Sequence, residues 1–172
     1  MHGPEELFLD FSVRKLEQMM SRIEEACSGL TPEQFWLRTG DHGNAIGNLV
    51  LHLAGNVRQW ILHGIAGQAD TRRRDAEFAA RTGDPATALA DLRQTVDEAI
   101  SVVRHLPPSR LPEHVLVQVF DVSVLDDVYH VVEHFSYHAG QIFLLVKQLT
   151  QRDLGFYQYL RKDGPPDTVI TP

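Results

Sequence analysis

The chain has 172 residues, with 16 Lys and Arg against 23 Asp and Glu and a formal net charge of -7. That length suits a single domain, residues 1–172, able to bury its own core. The acidic balance and short basic clusters argue against a nucleic-acid groove binder, which needs a broad basic face. One cysteine, Cys27, permits no internal disulfide and points to a reducing cytosol, with a buried, inert thiol as the simplest reading. No apolar run is long enough to span a bilayer and the first residues carry no basic leader, so a soluble, cytoplasmic protein without a membrane partner is expected.

The elements follow from periodicity and punctuation. Residues 4–30 place Leu7, Phe11, Val13, Leu16, Met19, Met20 and Ile23 on one broad stripe, a long helix closed by Gly29. Thr31, Pro32 and Gln34 form a capping-box start for a short helix. A second long helix begins near Ala45 and runs through "NLVLHLAGN" to Gly64 and Gly67. The charged stretch 68–84 has no sustained apolar stripe and reads as a crossover link with room for a short helix. Asp84 and Pro85 start a third amphipathic helix that ends before Pro107 and Pro108. Residues 113–124 alternate with period two, an extended segment. Ser123, with Asp126 at the third helical position, caps a last helix running to about Leu149. Pro and Gly mark residues 160–172 as an irregular tail. Four long helices without a sheet-forming repertoire imply an all-α four-helix bundle.

The chemistry sits in "HVVEHFSYHAGQI", residues 130–142, where His130, His134 and His138 recur every four residues. Neighbours at that spacing lie about 6 Å apart along one face, so two imidazoles can share an ion, whereas the outer pair is on the order of 12 Å apart. Spacing leaves both His130 with His134 and His134 with His138 as chelating pairs. His130, Glu133 and His134 also spell the H-x-x-E-H pattern of inverted zinc peptidases. That reading lacks its further acidic ligand, since no Glu follows Glu133.

A third ligand has to come from a facing helix. His52 is the best placed, an imidazole among Val50, Leu51, Leu53 and Ala54 that needs a partner to offset its desolvation. It also shares a narrow polar strip with Asn48 and Asn56, which suits a hydrogen-bonded network equally well. His2, His42, His63, His105 and His114 lie in loops or near segment ends and read as solvent-facing.

These motifs, with "DLGFYQYL" after the last helix, resemble the DinB-like superfamily of four-helix bundles, in a subgroup without an assigned reaction. The likeness covers nearly the whole chain and is most specific in H-x-x-x-H-x-G-Q-[IL], matched by His134, His138, Gly140, Gln141 and Ile142. It implies that His52, His134 and His138 bind a divalent metal, leaving His130 one turn away for proton transfer or second-sphere support. The superfamily includes bacillithiol S-transferases and mycothiol-dependent maleylpyruvate isomerases. The resemblance therefore implies a metal-dependent transferase that activates a low-molecular-weight thiol against a small-molecule substrate, and a homodimer.

Three neutral imidazoles leave coordination positions open and suit Zn, Ni or Fe, so the sequence does not name the ion. Because the ligands must be neutral, metal is expected to leave below about pH 6. A metal-dependent hydrolase and a non-enzymatic, stress-associated metal-binding dimer are the alternative functions. Arg58 and the cluster Arg72, Arg73 and Arg74 can attract an anionic thiol or acid substrate, but salt bridges on a solvated face explain them more simply. Tyr137 beside the ligands reads as a core aromatic rather than a proton donor.

Overall fold

Local chain chemistry starts the helices where the caps stand. In the computed structural model, which describes residues 3–158, helix α1 spans Pro4–Cys27, α2 Pro32–Phe35, α3 Ile46–Val57, α4 Arg74–Ala79, α5 Pro85–Arg104 and α6 Val124–Thr150. The Thr31 hydroxyl accepts from the Gln34 amide at 3.3 Å and the Gln34 side chain accepts from the Thr31 amide at 3.0 Å. Asp84 and Ser123 cap α5 and α6 through the amides of Thr87 and Asp126. Each cap satisfies a donor that the first helical turn leaves without an internal partner. The irregular tail expected at 160–172 lies outside the described residues.

The chain is mostly helical, with one small sheet. Helix α1 packs against α5 and α6, and α3 packs against the same two, while α4 lies along α3. The shared core includes Leu16, Met20 and Ile23 of α1, Leu49 and Leu53 of α3, Leu92 and Val96 of α5, and Phe135 and Ile142 of α6. The apolar stripe expected on α1 is narrower than its composition suggested. Leu7 and Phe11 are 56% and 42% exposed, and Leu9 and Ser12 take the inward positions near the start of the helix. Phe11 instead carries Lys15 over its ring face, 5.3 Å from the centroid. None of the described helices is long and apolar enough to cross a membrane.

Two departures from regular helix and strand shape the region around the histidines. Helix α3 does not end at Val57 but continues as a π-helical segment, Arg58–Ile65, a wide turn that is rare and often found at functional sites. The period-two stretch before α6 is a hairpin rather than a single strap, with strands β1 (His114–Val117) and β2 (Phe120–Ser123) pairing antiparallel. Its turn needs a left-handed residue, which Gln118 supplies at φ 58. Val117, fully buried, plugs the hairpin onto the π-helical segment at Gly64, where a Cβ would stand 2.6 Å from Val117 Cγ2.

Candidate metal centre

Helix α3 presents Asn48, His52 and Asn56 at four-residue intervals, and each finds a different partner. The Asn48 amide group donates to the carbonyls of Glu77 and Ala80, both at 2.9 Å, which holds α4 against α3. That anchoring swings Glu77 inward, so that its Oε2 lies 2.9 Å from His52 Nδ1. Asn56 Nδ2 reaches His130 Nε2 at 3.4 Å. The polar strip is therefore both things its sequence suggested, a hydrogen-bonded network along one edge and a histidine aimed at α6.

Across from it, α6 brings His134 and His138 to the same point. His52, His134 and His138 each offer a ring nitrogen, and the three nitrogens lie within 4.8 Å of one another. The ring centroids are 4.5 to 5.0 Å apart. His52 Nε2 and His134 Nε2 approach to 3.2 Å, close to the edge of about 3.3 Å that two nitrogens span on a tetrahedral ion with bonds of 2.0–2.1 Å. These three histidines can hold a metal ion. His130 does not join them: its ring lies 5.4 Å from that of His134 and is laid against Trp60 at 4.2 Å.

Hydrogen bonds to the far ring nitrogens decide which nitrogen is free. Glu77 Oε2, which can only accept, and Arg72 Nη2, which can only donate, both meet His52 Nδ1, at 2.9 and 3.1 Å; the tautomer that donates Nδ1–H to Glu77 is the one that keeps the Nε2 lone pair for the cluster. Gln141 Oε1, 2.7 Å from His138 Nδ1, does the same for His138. His134 differs. Its Nδ1 is buried without a hydrogen-bond partner, and its ring is held by packing between His130 and His138.

Glu77 is itself fixed by Arg72, whose Nε and Nη2 donate to its two oxygens at 2.8 and 3.0 Å. Burial pushes the Glu77 carboxyl up, but hydrogen bonds from His52 and Arg72 and the Arg72 charge bring it below the usual glutamate range. The pair also needs Gly55, because a Cβ there would collide with Glu77 Oε1 and stand 3.1 Å from Arg72 Nε. Gly55→Ala is therefore expected to destabilise the fold by about 1–3 kcal/mol, by overpacking a buried ion pair. A urea denaturation midpoint equal to wild type would show that α4 simply moves aside.

Burial depresses every imidazole in the cluster whose titration is perturbed. His134 falls to about 3, first through desolvation and then through its histidine neighbours and Arg72. His138 is lowered mainly by desolvation, against the opposing effect of Gln141. The His134 ring thus stays neutral, and fit to ligate, well below the ordinary histidine range, and His138 is shifted in the same direction. His130 is also lowered by desolvation.

The remaining candidates fall into place without joining the site. His63 and His105 contact the carbonyls of Gln68 and Ser101, and His114 pairs with Asp121 on the surface. His42 is exposed, and His2 lies outside the described residues. Tyr137 is not a core residue but 59% exposed, its ring 5.0 Å from that of His138. Arg58 pairs with Asp91 at 3.0 Å, as a surface ion pair. Arg72 corrects the reading of its cluster as a solvated face, because its side chain is 5% exposed and bound to Glu77. Cys27 is buried, and desolvation pushes its thiol up to about 12, so it is no nucleophile.

No motif in the sequence singles out Glu77 from the other acidic residues of the charged link. Its one usable signal was its position three residues before Ala80 in a charged link opposite Asn48, which is legible only once α4 is docked. Glu77→Gln keeps the shape and removes the charge. It is expected to weaken metal binding by about 10- to 100-fold, the usual loss when the partner of a ligating histidine is altered. Competition with a calibrated chelator measures this directly, and an unchanged affinity would make Glu77 a purely structural residue.

A family model described as "Protein of unknown function (DUF1572)" matches residues 5–160. No curated protein matches the chain.

Proposed function

The chain belongs to the DUF1572 family, and we propose that it is a DinB-like four-helix bundle acting as a metal-dependent S-transferase on a low-molecular-weight thiol. The observation that carries this reading is the convergence of His52, His134 and His138 within 4.8 Å, with the far nitrogens of His52 and His138 bound to Glu77 and Gln141. Placement of the DUF1572 family in the DinB-like clan supports the same reading. Imidazole-only donors suit Zn, Ni or Fe. When bound, such an ion supplies the Lewis acidity that lowers the pKa of a thiol or water.

The protein's own residues supply the rest. Glu77 and Gln141 fix the rings of His52 and His138. Glu77 is held by Arg72 and His52, which leaves His130, the neighbouring imidazole outside the cluster, to take the thiol proton once its Nε2 exchanges Asn56 for the thiol. The sulfur then forms a new bond to the electrophilic carbon of the substrate, whose leaving group departs with its electron pair. A homodimer in the cytosol is part of this proposal, and the outer side of α6, where Leu125, Tyr129, Tyr137 and Leu144 are exposed, offers it an apolar surface.

The test supplies metal-loaded protein with an α-halo carbonyl electrophile, with and without cysteine or mercaptoethanol, and follows halide release. Release that needs both metal and thiol, above the uncatalysed rate, supports the transferase. Turnover of ester substrates without thiol would replace it with the metal hydrolase. Stoichiometric metal with neither activity would favour the non-enzymatic metal-binding dimer.

A further inference from the structure

Beside the histidine cluster, α4 carries a guanidinium that nothing described so far uses. Arg74 is exposed, and its guanidinium carbon stands 5.0 Å over the centre of the Phe78 ring. The ring of Phe78 in turn lies 4.7 Å from that of His52, tilted by 43°. The charge is thus held within about 10 Å of a ring in the cluster by a single aromatic side chain, a cation–π arrangement that limits where it can wander.

Three of the nearby arginines are already committed. Arg72 is spent on Glu77, Arg58 on Asp91, and Arg81 on the carbonyls of Phe78, Ala79 and Ala80. Arg73 lines a cleft of about 220 Å³ with Arg58, Thr71 and Asp91, on the side of α3 that Gly55 faces. Among the described residues Arg74 has no ion pair, and its ring contact leaves the guanidinium edge, with its N–H donors, open. On the facing helix the exposed Glu133 acts on His130 and His138 through its charge. The neighbourhood of the cluster thus holds an exposed cation on α4 and an exposed anion on α6.

We propose that Arg74, steadied on Phe78, receives the carboxylate of the small molecule that reacts at the histidine cluster. This rests on the proposed function and names its substrate class. A planar guanidinium fork matches a carboxylate with two parallel hydrogen bonds. One cation without an ion pair, in a chain of net charge -7, suits a monoanion better than a phosphate dianion, which the acidic protein would repel.

The experiment uses mercaptopropionate and its neutral alcohol analogue mercaptopropanol as probes. Each is titrated into cobalt-loaded protein and followed by the visible absorption of the metal. Wild type is expected to prefer the acid by about threefold to fivefold, the range of a partly exposed ion pair. Arg74→Gln brings that ratio to about one, and Arg74→Lys keeps part of it. A ratio in Arg74→Gln equal to wild type overturns the proposal. In parallel, the Arg74 side-chain N–H resonance of metal-free protein is followed by NMR during titration with propionate. A saturable shift supports the carboxylate site, and none overturns it. If both thiols leave the cobalt spectrum unchanged in wild type, the thiol reading fails, and the propionate titration alone decides the role of Arg74.

Discussion

Replacing His134 by alanine is expected to remove metal from the purified protein, whereas His130→Ala is expected to keep close to wild-type occupancy. The contrast follows from geometry: His134 Nε2 is 3.2 Å from His52 Nε2, while His130 is turned to Asn56 and Trp60. Loss of one of three ligating nitrogens should exceed the roughly 100-fold upper range seen when only an outer partner is changed. His52→Ala and His138→Ala behave like His134→Ala, and His52→Ala also leaves the Glu77 and Arg72 pair without its third member. Elemental analysis of the four variants, grown with equal metal, reads the outcome. Metal that disappears with His130 and survives loss of His138 would mean that the other helical pair is the chelating one.

How much of this was legible beforehand depends on whether the deciding interaction is local. Thr31, Asp84 and Ser123 act within four residues of themselves, so their caps and the helix starts could be read from spacing. The choice between the two histidine pairs on α6 could not, because both obey the same four-residue rule. What separates them is where His52 lands across the α3 and α6 contact, and only the family resemblance stood in for that.

Glu77 and Arg72 were hidden for the same reason. In a charged link without an apolar stripe, nothing marks one carboxylate as the buried one, and its role comes from Asn48 pinning α4 and Gly55 making room. The π-helical segment after Val57 keeps an apolar periodicity close to that of an α-helix, so its wider turn left no signature. The hairpin was half visible, since alternation reports an extended chain but not the Gln118 turn that folds it back.

Asp127 is the group whose substitution should change stability most visibly with pH. It begins α6 one turn before His130, is fully buried, and neither carboxyl oxygen has a hydrogen-bond partner. It fits because Gly64 of the π-helical segment has no Cβ, which would stand 2.9 Å from Asp127 Oδ2. Desolvation raises its pKa to about 8, against about 3.9 for an unfolded aspartate.

Between about pH 4 and pH 8 the folded protein therefore holds a proton that the unfolded chain has already released. Stability falls as pH rises through that window and levels off above it, the opposite sign to a salt-bridged carboxylate such as Glu77. The amide introduced by Asp127→Asn keeps the shape without the titration, so this variant should match wild type near pH 4 and exceed it by several kcal/mol, up to about 5, at pH 8. Urea unfolding at several pH values gives the difference between the two proteins, in which the titrations of all other groups cancel. Parallel profiles would show that Asp127 finds a charge-stabilising partner in solution. A gap opening with pH would establish that the wide turn at Gly64 shelters a neutral acid in the first turn of the histidine helix.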